Sequence, residues 1–378
     1  MKLILTLLLA GITHNAFTQT MVDHYELGEY SKAIESFKNI ESPTVEDQLL
    51  LAKAYCTKGM TLECINTYQK ALANVEVDEL LKSKFQYAKI LQTQRKYKKA
   101  DSLFSNLLNV MPENAEFLYQ KGKIGNSLKK IAFHQYYLEA LLYDPKHIKA
   151  AHEASRYFME VDNLKMAKNI CLKTLEKVPH TPRLINLLAQ IHYREEDYTT
   201  SLNYINELVN LKSDLPKFIY EIKGNSFLKL NQNNNALTAF KKAFKIDSKD
   251  PQICLKIAEL YLLLEEHQKA QKYLFRYQFL RDTSLWEYNF LMGKMYMQKK
   301  EYKMAFYQFE KALDENVRHE DSRYFRAVSA DNFMEDKSNA LDYYTNYIEF
   351  FEDEETSKYV DLALRRETEI RRELFMKK

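Results

Sequence analysis

The nine histidines and four cysteines have the widest chemical repertoire in this 378-residue chain, but their spacing gives them little to do. His147 and His152 are five residues apart, so on a helix they do not share the face that an i, i+4 metal pair needs. No H-E-x-x-H, G-x-S-x-G, glycine-rich phosphate loop or EF-hand loop occurs, and no motif calls for a cofactor or metal. The acidic runs Glu195-Glu196-Asp197 and Glu352 to Glu355 fall at turns and helix starts. Carboxylates are favourable there without any catalytic duty. The residues read as non-catalytic. The cysteines form no C-x-x-C and no disulfide framework. Cys64, Cys171 and Cys254 read as buried free thiols, with pairing of Cys56 and Cys64 in an oxidising compartment as the alternative.

The elements that must carry these residues are helices. Only 7 glycines and 7 prolines punctuate the chain, too few for many strands and loops. Lys and Arg total 55 against 52 Asp and Glu, a net charge of +3. That balance argues against a nucleic-acid partner. Residues 3–12 (LILTLLLAGI) are apolar on every face but too short to span a bilayer. With Ala16-Phe17-Thr18 behind them they read as a signal peptide, 1–18, cleaved before Gln19. No later segment is apolar enough for stable membrane insertion.

Self-similarity organises the rest. A small residue recurs as Ala33, Cys64, Ala100, Phe133, Ala167, Ser201, Ala236, Ala270, Ala305 and Ala340, with Phe133 the exception. The mean spacing is about 34 residues. Four residues on, a large side chain follows each: Phe37, Tyr68, Phe104, Tyr137, Cys171, Ile205, Phe240, Leu274, Phe309 and Tyr344, with Cys171 again small. Offset 7 is apolar or small throughout, from Ile40 and Ala71 to Ala312 and Tyr347. Offsets 0, 4 and 7 share one helix face. A preceding helix carries its own small position: Ala52, Ala88, Gly122, Ser155, Ala189, Gly224, Ala258 and Gly293. An aromatic or apolar residue follows three places on, except Gly125 and His192. Pro112, Pro145 and Pro179 mark ends of second helices.

These columns resemble the tetratricopeptide repeat, of the exported bacterial type. Residues 291–313 (LMGKMYMQKKEYKMAFYQFEKAL) and 222–244 (IKGNSFLKLNQNNNALTAFKKAF) are the best copies. The resemblance implies an all-α helical-hairpin solenoid, about ten repeats wound into a right-handed superhelix over 19–352. Residues 353–378 hold a C-terminal capping helix with an apolar stripe of Tyr359, Ala363, Ile370 and Leu374, interrupted by Arg366. The first repeat is partial. The fourth lacks one residue, and the tenth is weak, with Val328 and Asp331 at first-helix positions.

In the family, first helices line a concave groove that grips a partner segment, and the residue after the small position points into it. Here that column opens Lys53, Lys89, Lys123, Arg156 and then turns mixed: Gln190, Asn225, Glu259, Lys294, Ser329. Four basic residues in succession lead us to expect a groove whose first half receives an acidic segment of a protein or peptide partner, although a solvated helix face also favours lysine. The resulting expectation is a non-catalytic interaction scaffold of the bacterial periplasm or cell envelope. The alternative is a glycan or small-molecule receptor using groove aromatics among the 27 tyrosines and 21 phenylalanines.

Overall fold

The computed structural model describes residues 17–76, 80–212, 214–281, 284–354 and 356–376. Among these residues every regular element is a helix. The expected signal segment lies outside them apart from Phe17 and Thr18. The chain divides into two compact units, Met1–Leu187 and Leu188–Lys378.

In the first unit, helix α1 (17–26) pairs with α2 (Tyr30–Phe37) and α3 (Val45–Thr57) with α4 (Thr61–Ala71). Three more hairpins follow: α5 (Leu81–Thr93) with α6 (Tyr97–Val110), α7 (Ala115–Ser127) with α8 (Phe133–Tyr143), and α9 (Ile148–Glu160) with α10 (Leu164–Lys177). Helix α11 (Pro182–Arg194) precedes α12 (Tyr198–Leu211). In the second unit, α13 (Lys217–Lys229) pairs with α14 (Asn233–Ile246) and α15 (Pro251–Leu263) with α16 (His267–Leu280). Then come α17 (Trp286–Gln298) with α18 (Tyr302–Glu315), α19 (Glu320–Phe333) with α20 (Lys337–Phe351), and finally α21 (Val360–Met376).

Polar side chains start several helices. Thr44 and Asp47 form a reciprocal capping box before α3, and Asn114 and Asn163 accept backbone N–H bonds before α7 and α10. Each proline expected at a second-helix end sits two residues past one, after Val110, Tyr143 and Lys177. The hairpin turns share one backbone device. The residue seven places after the small position of a first helix adopts positive φ: Gly59, Arg95, Lys129 and Asp162 in the first unit, Glu196, Asn231, Glu265 and Lys300 in the second. The left-handed residue ends the first helix and turns the chain. Where it is not glycine it costs about 1 kcal/mol.

The predicted columns are the core. Every small second-helix residue except Phe133 is buried, and every offset-4 residue except Phe37. Their contact is specific. A Cβ added to Gly293 would lie 2.6 Å from the ring of Phe309, and one on Gly224 2.7 Å from that of Phe240. In the first unit Gly122 abuts the ring of Tyr137 in the same way. The first helix supplies a seat without a side chain, and the second helix presses an aromatic ring into it. At one hairpin a polar version replaces the ring: Cys171 Sγ donates to Ser155 Oγ at 3.2 Å.

The fourth hairpin departs from the pattern by a swap. Phe133 stands in the small column, and Gly125 stands in the large column of the facing helix. A Cβ on Gly125 would meet Phe133 Cβ at 2.7 Å. Large and small have exchanged sides across one interface, and α8 is shortened to 11 residues where α6 and α10 have 14.

Two further departures are one feature. Asp331 of α19 and Arg366 of α21 each break an apolar stripe. In the structure Arg366 Nε and Nη2 donate to the Asp331 carboxylate at 2.8 and 3.3 Å, and Lys337 Nζ lies 2.9 Å from it. Ala363 and Ile370 of α21 are fully buried against Ala327, Tyr344, Tyr347 and Phe351. Tyr359 stacks on Tyr324 with ring centroids 4.3 Å apart.

The cysteine reading needs correction. Cys171 and Cys254 are buried free thiols, but Cys56 and Cys64 form a disulfide. The hairpin turn is the reason. Cys56 lies in the last turn of α3 and Cys64 in the first turns of α4, and folding back over Gly59 brings their Cα atoms to 5.1 Å, within bridging range.

Two predictions follow from the packing. Gly293→Ala gains about 1 kcal/mol of helix propensity but overpacks a ring fixed between Phe290 and Phe325. The net loss is about 1–2 kcal/mol in urea unfolding, and it disappears when Phe309→Leu empties the seat. Asp331→Asn tests the contact with α21. Burial alone would raise the Asp331 carboxyl, but hydrogen bonds from Arg366 and Lys337 hold it below the usual carboxylate range. The carboxylate therefore stabilises the fold above its unfolded pKa of about 4, and the contribution is lost as pH falls through the lower folded value. Wild type should exceed Asp331→Asn by about 1–2 kcal/mol near neutral pH, discounted for the partly exposed Arg366. The two should converge in acid.

Candidate functional site

The exposed column of the first helices begins in the first unit. Lys53 is half-buried; Lys89, Lys123 and Arg156 are exposed. Each is one residue beyond a buried small residue, so the packing that seats the small side chain turns the next one outward. Lys89 Nζ stands 5.4 Å from the ring of Phe85, and Lys123 Nζ 5.8 Å from that of Tyr119, each one helical turn back. Among the described residues no carboxylate lies within 4 Å of Lys53, Lys89 or Lys123.

Arg156 differs. Its guanidinium lies 3.6 Å from Glu153 and 3.2 Å from Glu160 on its own helix. The His152 ring at 3.2 Å, together with the charges of Arg156 and Lys123, holds Glu153 below the usual carboxylate range against the cost of burial. The basic run is thus three unpaired lysines followed by an arginine whose charge is met within its own helix. Sequence periodicity found the column but not Glu153 and Glu160, which sit three residues before and four after Arg156.

In the second unit the same column lines a cavity of about 230 Å3 at the C-terminal ends of α13, α15 and α17. Glu259 and Lys294 stand at it, with Leu228, Leu260, Leu263 and Leu291 as its apolar wall. Gln298 is held in place: its Nε2 donates to the Leu262 carbonyl at 3.1 Å, and its Oε1 lies 3.1 Å from His267 Nε2. Leu263 is 58% exposed. Sequence reading missed this cavity because leucine at a helix end carries the same signal as leucine in the core.

The chemistry open to these groups is limited. Among the described residues no three His, Cys, Asp or Glu side chains are placed to hold a metal ion. Several histidines meet acids, as His147 does with Glu116 at 3.2 Å and His192 with Glu195 and Asp197 at 3.6 and 3.2 Å. A serine–histidine contact occurs between His319 Nδ1 and Ser322 Oγ at 2.7 Å, but Ser322 is fully buried and out of reach of a substrate. Burial also holds the His319 imidazole below its ordinary pKa. His192 packs on Tyr204 at 5.5 Å in the slot where other hairpins place an aromatic residue. Of the exposed rings, Tyr143, Phe275, Phe279 and Tyr307 stand on second helices, and Phe218 stands on the first helix α13, outside the column. Among the described residues no helix is long and apolar enough to cross a membrane.

Residues 219–250 match the tetratricopeptide repeat family model. They overlap one of the two best copies read from the sequence. Over 133 residues the chain is 22% identical to the anaphase-promoting complex subunit CDC16 of Saccharomyces cerevisiae. That stretch is 34% of this chain and 16% of that subunit, so the match spans about a sixth of the curated relative. Among solved structures, a tetratricopeptide repeat protein from Parabacteroides merdae is similar at 15% identity and a TM-score of 0.46, covering 75% of this chain and 98% of that one. YrrB, a TPR protein, is similar at 14% identity and a TM-score of 0.46, covering 50% and 96%. Neither likeness is close enough to carry a functional argument. The repeat period, the buried columns, the seated rings and the matched repeat agree, and the chain is a tetratricopeptide-repeat protein.

Proposed function

We propose that this protein is a non-catalytic scaffold of the bacterial periplasm or cell envelope that holds a segment of another protein on its first-helix face. Tetratricopeptide repeats are in general protein–protein interaction modules, and this reading makes that role specific. The observation that carries it is the cavity at Glu259 and Lys294. An apolar recess between helix ends, rimmed by one acid and one base, suits an apolar side chain of an extended segment, with the rim charges meeting the segment's polar groups. Lys53, Lys89 and Lys123 in the first unit add a surface for an acidic stretch, with the field of three unpaired cations to attract it.

Export is part of the proposal. Its support is the apolar run at 3–12 and the Cys56–Cys64 disulfide, a bond that persists in oxidising compartments. The glycan-receptor alternative would draw on the exposed first-helix ring Phe218 and is the weaker reading, because that ring stands outside the column.

Crosslinking in cells followed by pull-down of the tagged protein tests the scaffold. Leu263→Glu should cut partner recovery at least about tenfold, Lys89→Glu/Lys123→Glu should reduce it, and Leu142→Glu on a second helix should not. Unchanged recovery with both groove variants refutes the site. Fractionation and intact-mass analysis test export. The mature chain should begin at Gln19, with Cys56 and Cys64 protected from alkylation until reduced. Replacing both by serine should cost about 2–3 kcal/mol, the loop entropy of so short a closure. A cytosolic chain retaining Met1 and two free thiols contradicts the proposal.

A further inference from the structure

A second recess lies in the second unit, away from the first-helix column, where α18, α19 and α20 meet. Its walls are Arg323, Arg326, Met334, Asn339, Asp342, Tyr343 and Asn346, around an open cleft of about 580 Å3. Arg323 and Arg326 are one turn apart on α19, so two like charges share one side of a helix.

Arg323 is only 8% exposed. Its Nη1 donates to Asn346 Oδ1 at 2.7 Å and its Nη2 to the Val317 carbonyl at 2.8 Å, both neutral acceptors. Its Nε has no partner, and among the described residues no carboxylate lies within 4 Å. Phe350 fixes the guanidinium plane from 4.0 Å. Arg326 lies on Tyr343 at 4.9 Å, and its Nε is also buried without a partner. Glu310 of α18 stands off from it at 3.9 Å, and the charge of Asp314 also acts on it. Burial lowers the pKa of both arginines, and Arg326 adds to the effect on Arg323.

A buried guanidinium without a counter-charge is costly, and a like charge one turn away raises the cost. Packing accounts for part of this: Arg323 ties the Val317 loop to α20. It does not account for Arg326, or for a polar cleft left open beside both. We propose that the cleft binds a small molecule bearing a carboxylate or phosphate group, held by Arg323 and Arg326. Planar guanidinium groups held on aromatic faces are suited to oxyanions. Asn339 and Asn346 supply neutral polar groups around it. Asp342 on the same wall adds an acceptor for any donor that the ligand carries.

Calorimetric titration of the full chain with inorganic phosphate, and separately with succinate, at ionic strength matched by chloride, tests the assignment. One saturable site is expected for at least one probe. Phosphate alone saturating assigns a phosphate ligand, and succinate alone a carboxylate. Arg326→Gln should weaken that binding at least about tenfold with helical content unchanged by circular dichroism. Asn339→Leu, at an exposed position that narrows the cleft without touching the core, should weaken it too. Failure of both probes to saturate, or binding unaltered in both variants, overturns the proposal.

Discussion

An aromatic ring seated on a residue too small to resist it is the contact on which this molecule depends. Gly122 under Tyr137, Gly224 under Phe240 and Gly293 under Phe309 are copies of one arrangement. Each sets how closely the two helices of a hairpin approach, and therefore which residues of each helix face inward. The positive-φ residue seven places on follows from the same closeness, since the chain must reverse before the second helix can reach the seat. Glycine is not required at that turn; Arg95, Glu265 and Lys300 adopt the conformation at a modest cost that the hairpin packing offsets.

Most of this was legible because a solenoid repeats its core. Ten readings of one column outweigh the ambiguity of any single residue, so the small and large positions could be placed before the structure was known. Individual exceptions were legible only as exceptions. Phe133 looked like a defect until Gly125 proved to be its complement on the facing helix. Asp331 and Arg366 each looked like a polar fault in an apolar stripe, and together they form the contact that docks α21. Pairs of this kind join positions 35 residues apart with no periodic partner, so periodicity cannot predict them. The disulfide was legible only as an alternative, for a related reason. Its bridging distance depends on the tightness of one turn, and sequence separation alone does not report it.

The same packing leaves the outward column free to vary. Because the seat fixes the backbone, the next residue on most first helices can change without disturbing the core, and here it runs from Lys53, Lys89, Lys123 and Arg156 in the first unit to Gln190, Asn225, Glu259 and Lys294 in the second, with Ser329 of α19 buried. Charge on such a face is read together with its neighbours: Arg156 has the same place in the column as Lys123, yet Glu153 and Glu160 meet its charge. The character of the surface is therefore set by residues three and four away as much as by the column itself. Where carboxylates do not meet buried cations, as around Arg323, the fold keeps an unbalanced charge that a bound group would balance.

Residue-resolved native-state hydrogen exchange tests the seated-ring account most directly. If each hairpin is held by its own seat and by its neighbours, protection should rise and fall along the chain with a period of about 34 residues. The slowest amides should lie beside the small and large columns, and the fastest at the positive-φ turns. A single block of uniform protection, or slow exchange centred on the turns, would contradict it.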